Sequence, residues 1–226
     1  MKPYFLVIVL LLSSTAFTAP IANKPEITPA IALKLLKDGN QRFQAGKPIH
    51  QKELQLRRGN LLKQQNPFAV ILGCSDSRVP PEIIFDQTLG DLFIVRVAGN
   101  VLDSDITASI EYGVVNLGAK LIVVLGHESC GAVKTALTLA PGKSAGSPQL
   151  DQLIASIQNA IKKSKETTES LDEFIHKPVV RNIDFHADEL VQTSALIKSR
   201  IAKGEVKIVR AIYDLKTGEV EFWSEK

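Results

Sequence analysis

Three short apolar runs occupy the middle of the chain and predict buried strands. They cover residues 68–73, 92–97 and 121–126, and they are rich in β-branched side chains. Continuous runs of this kind are typical of strands that are buried on both faces of a parallel sheet. Helical spacing of apolar residues fills the gaps, briefly at 81–85 and at greater length over 105–117. The order strand, helix, strand predicts right-handed crossovers.

Helices are also predicted on either side of this central block. Two precede the first strand, at about 30–45 and 51–64, and another continues from the third strand over 131–139. A loop rich in Gly, Ser and Pro then leads to two amphipathic helices, predicted at 151–165 and 179–203. The chain therefore alternates between the two kinds of element through most of its length.

A strand pair is predicted at the end of the chain. Residues 206–213 and 220–223 alternate on either side of a short turn, which indicates a hairpin added to the edge of the sheet. The predicted fold is α/β, with a mostly parallel central β-sheet flanked by helices. A chain of 226 residues is long enough for one well-buried core, so a single domain is expected over 23–226.

The first 22 residues are predicted to be a secretory signal peptide and not part of the fold. Lys2 precedes an apolar run at 5–12, which gives way to small residues at 13–19. The run is too short to span a bilayer. Cleavage is expected between Ala16 and Ala22, which would leave a periplasmic or secreted protein without a membrane segment. The alternative is a buried N-terminal strand or helix.

Composition and charge exclude several classes of protein. Hydrophobic residues make up 45% of the chain and charged residues 23%, as in ordinary globular proteins. The 27 basic and 24 acidic residues are spread along the sequence and give a net charge of +3. Binding to nucleic acid needs a dense stripe of Lys and Arg, so nucleic acid is not expected as a partner.

The two cysteines allow two interpretations. Exported proteins form disulfides, so Cys74 and Cys130 are candidates for one. However, Cys74 directly follows the first strand, and His127 with Cys130 follows the third, where the carboxyl ends of parallel strands form a ligand-binding crevice. Two thiolates and an imidazole suit zinc, and three protein ligands leave a fourth position for water. The local sequence therefore favours a catalytic zinc site.

Asp76 and Arg78 lie on the turn that follows Cys74. A carboxylate and a guanidinium at this spacing can form a charge-assisted pair beside the metal. Such a pair would orient a water molecule by accepting its hydrogen bond. Two alternatives stay open: Asp76 enters the site as a fourth zinc ligand and closes it, or the pair is purely structural.

These residues resemble a known signature. Cys74-Ser75-Asp76-Ser77-Arg78, with His127-x-x-Cys130, resembles the zinc motif of the β-class carbonic anhydrases. The likeness extends over residues 68–131 and includes Val95-Arg96-Val97-Ala98-Gly99-Asn100. It implies a zinc enzyme, a carbonate dehydratase, that reversibly hydrates CO2 to bicarbonate and a proton.

Eight residues match positions that the family uses. The implied zinc ligands are Cys74, His127 and Cys130. The implied catalytic dyad is Asp76 and Arg78. The implied lining of the substrate pocket is Gln65, Phe93 and Tyr112, with an amide that donates to substrate and two apolar rings. The alternative to a substrate pocket is that the two aromatic residues are ordinary core residues and the glutamine is a surface residue.

The resemblance also implies a homodimer or homotetramer. The N-terminal helices would embrace a second subunit, and Gln65 and Tyr112 would serve a pocket whose zinc belongs to the neighbouring chain. Ile71 stands where the bicarbonate-regulated branch of the family has tryptophan, so that inhibitory site is predicted to be absent.

Two other functions are alternatives to carbonic anhydrase activity. The functional alternatives are a related hydrolase of carbonyl sulfide or carbon disulfide and a non-catalytic zinc-binding protein. The Asp76–Arg78 pair favours catalysis, because metal storage would not require it.

No motif supports a role in chemistry for the remaining histidines, which are predicted to have surface or packing roles: His50, His176 and His186.

Overall fold

The computed structural model of the protein describes residues 26–50, 54–162 and 171–224, so the predicted signal peptide at 1–22 lies outside the described residues. Within these ranges no helix is long and apolar enough to cross a membrane. The described helices are α1 (Pro29–Gln44), α2 (Leu54–Asn60), α3 (Pro81–Ile84), α4 (Ser104–Val115), α5 (Gly131–Thr138), α6 (Pro148–Ile161), α7 (Leu171–Thr193) and α8 (Ala195–Ala202). The described strands are β1 (Ala69–Gly73), β2 (Leu92–Arg96), β3 (Leu121–His127), β4 (Lys207–Tyr213) and β5 (Val220–Trp223).

The described strands form a sheet in the order β2-β1-β3-β4-β5. Neighbours among the first four are parallel, whereas β5 pairs antiparallel with β4 at the edge. The predicted α/β fold with a mostly parallel sheet and a terminal hairpin is therefore confirmed. The chain passes outward from β1 to β2 and then crosses back over β1 to reach β3. This reversal opens a crevice at the carboxyl ends of β1 and β3.

Alternate side chains of each central strand enter two separate apolar cores. Val70 and Leu72 of β1 pack on the side that carries α4, α5, α6 and α7, where they join residues such as Ile183. Ala69 and Ile71 pack on the opposite side. That side is covered by α1 and α3. Burial on both faces explains why the strands read as continuous apolar runs.

The single helix predicted over 179–203 is wrong. The structure has two helices there, because α7 ends at Thr193 and α8 begins at Ala195. Ser194 between them has an extended backbone, and its hydroxyl accepts a hydrogen bond from the amide of Ile197 at 3.0 Å. The same hydroxyl donates to Oε1 of Glu111 in α4 at 2.5 Å. The second bond spans 83 residues, so local periodicity could not reveal the break.

Two other predicted helices have different limits. The helix expected at 51–64 is described only over Leu54–Asn60, and the chain from 64 to 67 has no regular structure. The helix expected at 151–165 begins earlier, at Pro148, because Ser147 accepts a hydrogen bond from the amide of Leu150 at 3.2 Å and Pro suits a first helical position. Its predicted end at 165 lies outside the described residues.

A buried asparagine fastens α1 to the rest of the fold. Nδ2 of Asn40 donates to the carbonyl oxygens of Ile84 at 3.0 Å and Gly218 at 2.8 Å. Its Oδ1 accepts from the amide of Val220 at 2.9 Å. Because the amide is 3% exposed and fully bonded, it stabilises the contact between α1 and the terminal hairpin. Asn40 lies on the side of the sheet that α1 and α3 cover.

Candidate metal centre

Three potential metal ligands meet in the crevice between β1 and β3. Cys74 directly follows β1, His127 is the last residue of β3, and Cys130 stands at the N-cap of α5. Their ligand atoms all lie within 4.8 Å of one another, and all three residues are buried. The convergence predicted from the strand ends is therefore confirmed.

The two sulfurs are not joined to each other. Cys74 and Cys130 are both free, so the disulfide alternative is contradicted. The pKa of Cys74 is lowered to about 4, first by a hydrogen bond from the Cys130 thiol and further by contacts with His127 and the Gly99 amide. The pKa of Cys130 is raised, because its proton is held by Cys74 and because it is buried. A soft cation that displaces this shared proton would bind two thiolates.

His127 offers the third donor atom. Its Nδ1 lies 2.9 Å from the carbonyl oxygen of Glu128, so Nδ1 carries the proton and donates it. Nε2 is buried and has no hydrogen-bond partner among the described residues, since Oδ2 of Asp76 is 3.8 Å away, beyond hydrogen-bonding distance. A buried acceptor without a partner costs about 1–3 kcal/mol. Coordination of a metal would remove that cost, so the donor set and the unpartnered nitrogen fit zinc.

Asp76 and Arg78 form the pair that their spacing predicts. The Nε atom of Arg78 donates to Oδ1 of Asp76 at 2.9 Å, and a terminal nitrogen donates to Oδ2 at 2.7 Å. The backbone amide of Arg78 adds a third bond to Oδ1 at 2.9 Å. These bonds to the Arg78 side chain, before any other cause, hold the pKa of Asp76 well below its usual range. Entry of Asp76 into the site as a fourth ligand stays a prediction.

Arg96 positions the loop that carries Cys74 and Asp76. Its Nε donates to the carbonyl oxygen of Cys74 at 2.8 Å, and a terminal nitrogen donates to the carbonyl oxygen of Asp76 at 2.6 Å. Two bonds from one rigid guanidinium therefore fix the backbone on both sides of Ser75. Arg96 was not among the predicted site residues, although a single cation near the end of an apolar run is visible in the sequence.

Comparison with known proteins identifies the family. The carbonic anhydrase family model matches residues 69–220 of this chain. The solved structure of the β-carbonic anhydrase CcaA superimposes with a TM-score of 0.68 at 28% identity, and the match covers 85% of this chain and 95% of that one. The chain belongs to the β-carbonic anhydrase family. The matched segment contains all three residues of the metal cluster.

Relatives of known sequence agree with this assignment. Carbonic anhydrase 2 of Mycobacterium tuberculosis is 43% identical over 195 residues, which cover 86% of this chain and 92% of that protein. The carbonic anhydrase of Mycolicibacterium smegmatis is 41% identical over 201 residues, with coverage of 88% and 96%. The β-carbonic anhydrase CafA of Aspergillus fumigatus matches in structure with a TM-score of 0.68 and 25% identity, covering 87% of this chain and 92% of that one.

The residues predicted to line the substrate pocket are not beside the cluster of their own chain. Phe93 and Tyr112 contact each other, with ring centroids 6.1 Å apart. Phe93 pairs in register with Val70, which lies four positions before Cys74. Four residues of strand span roughly 13 Å. Gln65 precedes β1 and is exposed at the opposite end of that strand. Within one subunit, therefore, the β-carbonic anhydrase fold separates these residues from the metal ligands.

The remaining histidines have the surface or packing environments that were expected. His176 is 46% exposed, and its Nδ1 pairs with Oε1 of Glu128 at 2.5 Å. His186 is buried and pairs through Nδ1 with Oε2 of Glu189 at 2.9 Å. Burial lowers the pKa of His186, so its ring is neutral at neutral pH. His50 is half-buried, and its backbone amide donates to Asp86 at 3.4 Å.

Proposed function

We propose that the protein is a zinc-dependent carbonic anhydrase, a carbonate dehydratase that reversibly hydrates CO2 to bicarbonate and a proton. The observation that carries the proposal is the buried cluster of Cys74, His127 and Cys130, whose ligand atoms lie within 4.8 Å of one another at the switch point of the sheet. Two relatives that are 43% and 41% identical to this chain are named carbonic anhydrases, and they support the same activity.

The chemistry divides between the metal and the chain. When bound, zinc would act as a Lewis acid that makes a coordinated water acidic enough to become a nucleophile, a chemistry best known from carbonic anhydrases with three histidine ligands. Asp76 supplies a fixed hydrogen-bond acceptor beside that position, because Arg78 binds both of its oxygens. A carboxylate held in this way would accept a hydrogen bond from the nucleophilic water and restrict its orientation. The Arg78 side chain is 56% exposed, so this side of the site is open to solvent.

A stopped-flow assay of CO2 hydration on the zinc-loaded protein tests the activity directly. Hydration at a rate proportional to zinc content is expected, and full zinc occupancy without hydration would contradict the proposal. The same protein should be assayed with carbonyl sulfide and carbon disulfide. Faster turnover of either molecule than of CO2 would favour the related hydrolase, and zinc binding without any turnover would favour a non-catalytic zinc protein.

The proposal includes a homodimer, alone or within a homotetramer, in which each subunit completes the other's pocket. Large apolar side chains are exposed beside β2, including Leu54, Ile83 and Leu89, which line one surface hollow with Leu92. Large apolar side chains exposed close together support an interface at this surface. Tyr112 is 49% exposed on the helix that follows β2. The proposed two-fold axis lies beside this surface, with Tyr112 facing the partner subunit.

Subunit complementation tests this arrangement. Cys74→Ser removes a metal ligand, and the double variant Gln65→Ala with Tyr112→Ala removes two exposed pocket side chains. Each is expected to be nearly inactive alone. Co-expression should restore about one quarter of the wild-type activity, because half of the dimers are mixed and each mixed dimer has one intact site of two. Activity no greater than the sum of the two parents would place the pocket within a single subunit.

Export to the periplasm or the exterior is a further part of the proposal. It rests on the apolar run and small residues of the first 22 positions. Expression of the full chain in a Gram-negative host is expected to yield periplasmic protein that has lost its N-terminus between Ala16 and Ala22, as measured by intact mass. Recovery of the cytoplasmic chain with residue 2 onward intact would contradict export.

A further inference from the structure

A chain of two hydrogen bonds connects α7 to the metal cluster. Nδ2 of Asn182 donates to the carbonyl oxygen of Gly99 at 2.7 Å. The backbone amide of Gly99 donates in turn to Sγ of Cys74 at 3.3 Å. Asn182 thereby reaches a ligand sulfur through one intervening residue. The first bond joins residues 83 apart in sequence, and the second joins residues 25 apart.

Gly99 has a backbone conformation that needs to be held. Its φ of 69° and ψ of 17° lie in the left-handed region, where residues other than glycine are strained. A Cβ atom at this position would lie 2.6 Å from Cδ1 of Ile157 and 3.3 Å from Cβ of Ala132. The position therefore requires glycine, which is also the most flexible residue. An external contact that holds its carbonyl compensates for that flexibility.

Asn182 has the properties of such a contact. Its side chain is 1% exposed, and it lies on α7 among the apolar residues Val179 and Ile183 of the core. Within the part of the chain that the structure describes, its Oδ1 is buried without a partner, and its Nδ2 bonds to the Gly99 carbonyl. A buried amide that is only partly bonded is unfavourable compared with an apolar side chain. Packing alone therefore does not account for asparagine at this position.

We propose that Asn182 is a positioning residue for the zinc ligand Cys74. By holding the Gly99 carbonyl, Asn182 keeps the Gly99 amide directed at the sulfur. An N–H bond to a thiolate fixes the orientation of the sulfur and withdraws negative charge from it, which tunes its strength as a ligand. The inference rests on the proposed zinc site, but it concerns residues that touch neither metal nor substrate.

The test compares Asn182→Ala with Asn40→Ala. Asn40 is the matched control, because it is also buried, also lies on a helix and also donates to backbone carbonyls, but on the other side of the sheet. Both variants should lose thermal stability. Only Asn182→Ala should bind zinc more weakly, by about 10-fold in chelator competition. In the cobalt-substituted protein, only Asn182→Ala should shift the sulfur-to-cobalt charge-transfer band.

The results of these measurements distinguish a positioning role of Asn182 from a purely structural role. If Asn182→Ala melts earlier but keeps the wild-type zinc affinity and cobalt band, its role is structural and the inference is overturned. If the wild-type protein does not bind one zinc ion per chain, the proposed function fails instead. Asn182→Ser provides a second variant, because a helical serine can bond within its own helix. Failure of both Asn182 variants to fold, while Asn40→Ala folds, would assign Asn182 to folding and also overturn the inference.

Discussion

Replacing Cys74 with serine is expected to abolish both zinc binding and CO2 hydration, down to the background rate. A serine hydroxyl does not ionise near neutral pH, so two donors would remain where three converge in the wild-type cluster. Metal content measured by atomic absorption and turnover measured by stopped-flow should fall together.

The effect should be the same for Cys130→Ser, because both sulfurs belong to one cluster. Ser199→Ala on the exposed face of α8 serves as a control that keeps zinc and activity. A Cys74→Ser protein with one zinc ion per chain would contradict the ligand assignment. If Cys130→Ser alone kept the wild-type zinc content but lost activity, Cys130 would not be a zinc ligand.

Arg78→Ala is expected to lower kcat/KM by about 10- to 100-fold while zinc is retained. The substitution removes both side-chain bonds that hold the Asp76 carboxylate. Oδ2 of Asp76 lies 3.8 Å from Nε2 of His127, so the released carboxylate is close enough to approach the metal and occupy the open position. Lost activity with unchanged or tighter zinc binding is the signature of this effect.

The pH dependence of Arg78→Ala has a defined sign. Arg78 lowers the pKa of Asp76 in the folded protein, so its removal raises that pKa towards the ordinary value. Asp76 then becomes protonated at a higher pH, and the acid limit of activity should move upward. Arg200→Ala, which breaks the exposed pair with Glu205, is the control and should change neither activity nor its pH profile. Wild-type activity in Arg78→Ala would show that the pair is purely structural.

The sheet and the three candidate ligands were predictable because their signals are local. Continuous apolar runs follow from burial on both faces, and Cys74 and His127 stand where such runs end. The hairpin followed from alternation around a turn. In each case the pattern lies within about 20 consecutive residues, so no knowledge of distant contacts was needed.

Three features could not be predicted in this way. The break at Ser194 depends on Glu111, and the support of the Cys74 loop depends on Arg96. The bond from Asn182 to Gly99 joins α7 to the turn after β2. Each of these contacts joins residues at least 20 positions apart in the chain, and the partner is chosen by packing and not by sequence spacing. The separation of Phe93 from Cys74 was likewise visible only once the strand register was known.

The amino-acid sequence alone determined the fold class, the candidate metal ligands and the pairing of Asp76 with Arg78. Burial and short-range geometry impose those features on any chain with this pattern. Only the tertiary structure decided how the candidate ligands are held and oriented. Arg96 and Gly99 bond to Cys74, and Nε2 of His127 has no hydrogen-bond partner among the described residues. The physical reason is that a hydrogen bond forms or is lost with changes of a few tenths of an ångström in the donor–acceptor distance. Strand order, register and helix packing together set that distance.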